Sequence, residues 1–481
     1  MPELLIGWSE VDATPEGKVD LFGQYYHRVS RGVHSRLKVT ALALESSDSD
    51  QAVMVALELV CLDFEFQQQL RSMLRAQLPD LDVSKVFLHA IHTHCAPNIE
   101  TYAGISWLSE LPDVMPAAEY RRLLLARAQS AVIEAWRSRS AGGIARALSF
   151  ARAGHCRRAV YSGGTAEMYG ETNREDFAGM ESGEDSGVDL LFCFDQTRKP
   201  TGVILNVACP SQIMESTYQI SSDFIGEVRR LAKQHFGESF RILGQISAAG
   251  DQSPRDLVRG YRTEPDFWHE DGVSEMGQRL MAAVENAFPA AAAHINESPL
   301  MRHKIESTCL PRRRASYQNY IEAKKQLQQL EAVISEDEAY RDFCEEVSRN
   351  EKIPGRPGPY DSKLHRFVLI QNNQAVIARY LDQDAQPSLQ VELHALRLGD
   401  VVFVTNPFEL FLDFGQQIKA RSSAPQTFVV QLCCGYNGYV PTAAAESHGG
   451  YGGLIINGQV GSDGGKLLVD SAVRATAELW S

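Results

Sequence analysis

Short runs rich in valine, leucine and isoleucine alternate with amphipathic stretches along most of this 481-residue chain. "LKVTALAL" and "AVMVALEL" read as strands, "DFEFQQQLRSMLRAQL" as a helix with apolar residues at helical spacing, and "SKVFLHAI" as the next strand. The exchange continues through a helix at "AEYRRLLLARAQSAVIEAW", strands at "DLLFCFD" and "GVILNVA", a helix at "FIGEVRRLAKQHF" and a strand at "FRILGQIS". Further on come strands in "LQVELHALRLGDVVFVT", a helix from "PFELFLDFGQQIKA", a strand at "TFVVQLCC", a glycine-rich loop and a last helix in "GGKLLVDSAVRATAELW". A chain that keeps switching between the two periodicities folds as α/β. It has no solenoid repeat and no linker, so one domain over 1–481 is expected.

One segment breaks the rhythm. From Arg312 to about Asn350 the sequence is highly charged and helix-favouring, and the Pro/Gly-rich "KIPGRPGPYD" that follows reads as loop. The insertion, placed at 312–365, reads first as a solvated pair of surface helices and second as a cap or oligomer contact over a site. A net charge of −14 argues against nucleic acid or an anionic membrane surface and fits a small-molecule substrate, with a homo-oligomer left open. No run approaches the ~20 apolar residues that span a bilayer, and the N-terminus lacks a basic stretch followed by an apolar one, so the expected location is cytoplasmic. The nine cysteines contain no CxxC pair and read mostly as reduced core thiols; adjacent Cys433 and Cys434 are poor disulfide partners for each other.

Four stretches carry candidate chemistry. In "HAIHTHCAPN" His92 and His94 are two apart, so on a strand they would share a face and could share a metal, while His89 points away. In "AAGDQSPRD" Ser253 follows a strand, where α/β sheets build their sites, though Asp251, Ser253 and Pro254 could equally make a turn and cap a helix. In "TNPFELF" Glu409 is expected in the first turn of a helix, where a carboxylate often only answers the helix dipole. "CCGYNGYVPTAAAESHGGYGG" places Tyr436, Tyr439 and Tyr451 in a glycine-rich loop; core packing is the plain account of them.

Together these stretches resemble the neutral/alkaline ceramidase family of zinc-dependent amide hydrolases, nearly end to end. "IGWSEVDATP" with "GVHSRLKVTALALE" looks like that family's opening pattern, "HTHCAP" like HTHSGP, "GDQSP" like GDVSP, "NPFE" like PGE, and "YNGYVPT" with Tyr451 like its tyrosine block. The resemblance implies mixed β-sheets with flanking helices, without the family's C-terminal immunoglobulin-like domain. It implies one zinc per chain held by His92, Glu409 and Tyr439, with His94 beside the metal, Ser253 at the reaction centre, and Arg157 (or Arg158) and Tyr451 as further active-site groups. The implied activity is hydrolysis of a C–N amide bond by metal-activated water. Ser253 would be nucleophile or water-positioning group.

The pattern departs at "LNVACPSQIME", where the family supplies a further histidine ligand. Pro210 or, one residue over, Cys209 stands there. Either Cys209 replaces the histidine as a thiolate ligand, or His94 closes the metal shell, or the metal is lost. The last case leaves a metal-independent serine esterase or amidase, or a non-catalytic ligand-binding pseudoenzyme. The acidic balance and the charged insertion favour a soluble N-acyl substrate over a membrane lipid, and Arg255 and Arg262 could favour an acidic group on it.

Overall fold

The computed structural model describes residues 3–47, 50–99, 111, 113–259, 267–350, 352–353 and 365–481. The larger of its two main sheets contains β1 (Leu4–Asp12), β2 (Lys38–Ser46), β3 (Gln51–Leu57), β4 (Val86–Ala90), β5 (Ser140–Phe150), β6 (Gly187–Asp195), β7 (Pro200–Val207) and β8 (Arg241–Ile246). Their spatial order is β8-β7-β6-β5-β1-β2-β3-β4, antiparallel except for β3 with β4 and β7 with β8. The smaller sheet runs β9 (Met301–Pro311), β10 (Ser388–Leu398), β11 (Val401–Thr405), β12 (Gln426–Val430), and only β11 with β12 is parallel.

Near-continuous apolar strands are what a sheet covered on both faces requires. On β2, Val39, Ala41 and Ala43 pack beneath α1 (Phe64–Arg75) and α2 (Ala117–Arg137), while Leu42 and Leu44 turn the other way to meet Leu396, Phe403 and Phe428 of the smaller sheet. On β6, Val188, Leu190 and Phe192 face α3 (Asp223–Phe236) and α4 (His269–Ala292), while Leu191 and Cys193 face the sheet interface. The result is helices, sheet, sheet, helices in four layers.

The inserted segment forms α5 (Tyr317–Glu331) and α6 (Glu336–Asn350), joined by a third helix, α7 (Arg366–Asp382), that the sequence reading left unassigned. The helical segment thus continues past 365. Phe343, Val347, Phe367 and Ile370 make a small core of their own with Tyr26. The outer layer on the smaller sheet is α8 (Leu412–Arg421), the short α9 (Ala443–His448) and α10 (Ser462–Glu478), with Phe414, Ile418, Leu468 and Val469 turned inward. No described helix is long and apolar enough to cross a membrane.

What positions the site is how the chain leaves β12. Beyond Val430 it crosses from the smaller sheet to the larger: Gln431 N donates to Ile246 O at 3.1 Å, Ala90 N to Leu432 O at 3.1 Å, and Cys434 N to Leu88 O at 2.9 Å. This stitches the C-terminal ends of β4, β8 and β12 together, the place where strand-following loops gather in α/β folds.

Candidate active site

Three of the four chemistry-bearing stretches are tied together by backbone before any side chain is considered. Glu409 and Tyr439 are register partners in a two-residue parallel pairing. Glu409 is therefore in extended chain, not in a helical turn; the helix begins at Leu412 because Asp251 Oδ1 accepts from Leu412 N at 2.9 Å and holds the segment straight until there. Gly250 N donates to Leu410 O at 2.9 Å, and the Gln431 side chain accepts from both Ala249 N and Leu410 N at 3.1 Å. A Cβ on Gly250 would stand 2.4 Å from Glu409 O, so this approach requires glycine. Ser253 caps no helix: Gln252–Ser253 pairs as a short strand with His155–Cys156.

The histidines reach the same place by a route that strand geometry does not supply. Strand β4 stops at Ala90, and His92 adopts a left-handed backbone, φ 65°. Its Nδ1 donates to Val60 O at 2.9 Å, which turns a neutral ring's Nε2 lone pair toward the loop cluster. That nitrogen lies 3.4 Å from Glu409 Oε2 and 3.4 Å from His94 Nε2. Burial, then the neighbouring His92, Arg28 and Arg157, hold the His94 imidazole well below its usual range. His89, pointing the other way, bonds Gly244 O at 3.0 Å and is pushed down to about 4 by burial.

Around this pair stand the phenols and arginines. Tyr436 Oη donates to Glu409 Oε1 at 2.7 Å. Arg157 Nη2 donates to Tyr439 Oη at 3.1 Å and to Gly250 O at 2.9 Å, and Tyr451 meets Tyr439 edge to face at 5.5 Å between centroids. Burial pushes the Tyr439 and Tyr451 hydroxyls well above the usual range, and adjacent Glu409 adds to it. Arg158 turns elsewhere, to Glu181 and the Gly449 carbonyl (2.6 Å), and so braces the glycine loop.

The sequence matches no protein-family model and no curated protein. Solved structures do match. Neutral ceramidase from Pseudomonas aeruginosa aligns with a TM-score of 0.69 over 99% of this chain and 75% of that one, at 18% identity. The chain has the neutral ceramidase fold. A ceramidase complexed with C2 aligns similarly, with a TM-score of 0.67 over 99% of this chain and 76% of that one, at 16% identity.

On this ceramidase fold the remaining candidates separate. Ser253 is fully buried; its Oγ accepts from Tyr169 Oη at 3.2 Å and from Arg255 N at 3.2 Å. Arg255, also fully buried, bonds Glu215 at 2.8 Å and Gln212 O at 3.3 Å and lies over the Trp268 ring. Its charge is already answered from within. Arg262 lies outside the described residues. The Cys209 thiol donates to Ala153 O at 3.4 Å among Val207, Ile213 and Met214, and burial pushes it well above its usual range. Among the described residues, this sulfur does not come within 4.8 Å of both the His92 and Glu409 ligand atoms as a group of three.

Sequence reasoning missed several neighbours. Gln212 Nε2 lies 2.9 Å from His94 Nε2, and Glu215 lies 3.9 Å from His94 Nδ1; both belong to the stretch that departs from the family pattern. Tyr25, beside Tyr451 and Glu409, comes from "QYYH", which carries no signal of its own. A different cluster also emerged: among the described residues, the one group of three His, Cys, Asp or Glu ligand atoms within 4.8 Å of one another is Glu392, His394 and Cys434.

Proposed function

We propose that the protein is a zinc-dependent hydrolase of an amide bond in a soluble N-acyl substrate, a divergent member of the neutral ceramidase family. The observation that carries this reading is the convergence of His92, Glu409 and Tyr439 with Arg157 and Tyr451, from stretches hundreds of residues apart, at the strand ends of a ceramidase fold. Imidazole, carboxylate and phenolate are donors that suit zinc, and the His92 Nε2, freed by the Val60 bond, is aimed at the carboxylate. These three residues would hold the ion, with His94 as the nearest further nitrogen. Bound there, zinc supplies a Lewis acid and lowers the pKa of water toward neutrality.

The chain's own groups do the rest. Tyr436 fixes one Glu409 oxygen so that the other faces His92. Arg157, held by Gly250 O, presents positive charge beside the phenols, where an oxyanion would develop; a well-placed donor of this kind contributes roughly 3 to 4 kcal/mol. Ser253 has Tyr169 and a backbone amide as partners instead of an imidazole, which supports a water-positioning role over that of a metal-free nucleophile. Metal content of the purified protein is the direct test: about one zinc per chain is expected, and failure to retain any after reconstitution removes the reading. A screen running from long-chain ceramides to N-acyl amino acids and amino sugars then defines the substrate.

A further inference from the structure

The Glu392–His394–Cys434 cluster lies at the interface of the two sheets, and its hydrogen bonds fix its charges. His303 Nδ1 donates to Gln51 O at 2.8 Å, and burial holds this imidazole well below its usual range, so the ring is neutral and its Nε2 is the acceptor. That nitrogen lies 2.9 Å from His394 Nδ1, which must therefore donate. His394 Nε2 lies 2.9 Å from Glu392 Oε1, a carboxylate oxygen, so it donates as well. A histidine that donates from both nitrogens is an imidazolium.

Glu392 already has its cation. Arg71 grips both carboxylate oxygens, at 2.8 and 3.0 Å, and Gln67 Nε2 adds a bond at 2.9 Å. Two buried cations, Arg71 and His394, thus share one carboxylate, and a second negative charge balances the group. The Cys434 sulfur is the candidate: it lies within 4.8 Å of the His394 and Glu392 ligand atoms and 3.5 Å from Cys433 Sγ, whose thiol can donate to it. A carboxylate so fully engaged is a poor metal ligand.

We infer that Cys434 is held as a thiolate by His394 and is a site of oxidation by small hydroperoxides. Its sulfur attacks the terminal peroxide oxygen, an S–O bond forms as the O–O bond breaks, and the departing hydroxide (alkoxide, for an organic hydroperoxide) takes a proton from solvent to leave as water (or alcohol). Sulfur is oxidised by two electrons, the peroxide is reduced, and the product is a sulfenic acid. Burial opposes the charge, yet the Cys433 hydrogen bond and the His394 cation hold the Cys434 thiol below its usual range. The charged groups acting on it are His394 and Glu392, the latter held down at about 2; behind them the His303 imidazole, beside Lys85 and Arg71, is held well below its usual range by burial and then by His394. Cys433, by contrast, is pushed up by burial, then by its neighbour. Cys434 also has a left-handed backbone, φ 63°, and only Gly435 separates it from Tyr436.

The test treats the wild-type protein with about one equivalent of hydrogen peroxide, traps sulfenic acid with dimedone and maps the adducts by peptide mass spectrometry. Cys434 is expected to dominate over the other cysteines, with a rate that is flat above neutrality and falls roughly tenfold per pH unit below its thiolate range. Labelling no faster than at buried Cys193, or labelling that climbs through pH 9, overturns the inference. His394→Gln should cut the Cys434 adduct at pH 7 at least about tenfold, with circular dichroism checking the fold. Zinc bound by the wild type and lost in Cys434→Ser would also overturn it, since the cluster would then be a metal site.

Discussion

Two buried clusters in this molecule use nearly the same residue types and end up with opposite chemistry. At His92 and Glu409, one imidazole nitrogen is spent on a backbone carbonyl and one carboxylate oxygen on Tyr436, which leaves a nitrogen and an oxygen facing each other at 3.4 Å. At Glu392 and His394, every carboxylate oxygen and both imidazole nitrogens are engaged. The difference is saturation. Unspent lone pairs suit a cation; fully spent ones make a fixed charge array that tunes its neighbour.

Substitutions can break this contrast in order of expected effect. His92→Ala should abolish hydrolysis and metal retention together, measured by turnover and metal analysis, because it removes the free nitrogen. Arg71→Leu removes two charged hydrogen bonds from Glu392 and leaves His394 as its one cation, and should cost about 3 kcal/mol in urea unfolding. The same pairing has an acid signature. Glu392 is held below its ordinary 4.5 at about 2, so its contribution is complete above pH 4.5 and is lost as pH falls toward 2; in Arg71→Leu the acid-unfolding midpoint should rise. Arg157→Met keeps the cavity filled but removes the charge beside Tyr439, and kcat should fall about 10²- to 10³-fold with KM changed less. Tyr436→Phe frees the second Glu409 oxygen and should weaken metal retention about 10- to 100-fold, read by chelator competition. The smallest effect is expected from Cys209→Ser: about 1 kcal/mol of stability, with metal content unchanged. Loss of metal there would place the sulfur in the shell after all.

Much of the fold could be read because both sheet faces are covered, so β2, β3 and β6 announce themselves as apolar runs flanked by helical periodicity. The helix Arg366–Asp382 escaped because only Phe367, Ile370 and Asn373 are buried along it, and apolar residues such as exposed Leu381 break any single stripe. His92, Glu409 and Tyr439 were visible through motif resemblance, yet the reasons first given for their geometry were local ones. The histidines meet through a left-handed turn after the strand has ended, and Glu409 is held by pairing with Tyr439. Neither arrangement has a periodic signature. The Glu392–His394–Cys434 cluster was less legible still, since a thiol forty residues from its imidazole gives no spacing to recognise, and the charge on His394 depends on a carbonyl at Gln51.

His92 follows a strand of the larger sheet, whereas Glu409 and Tyr439 follow strands of the smaller one. A cation gripped by all three would act as a rivet through two plates, and whatever it gains on binding would be added to the free energy that keeps the plates from sliding. Thermal stability should then report ion occupancy, and one strand residue of slip, about 3.3 Å, would be enough to pull the grip apart.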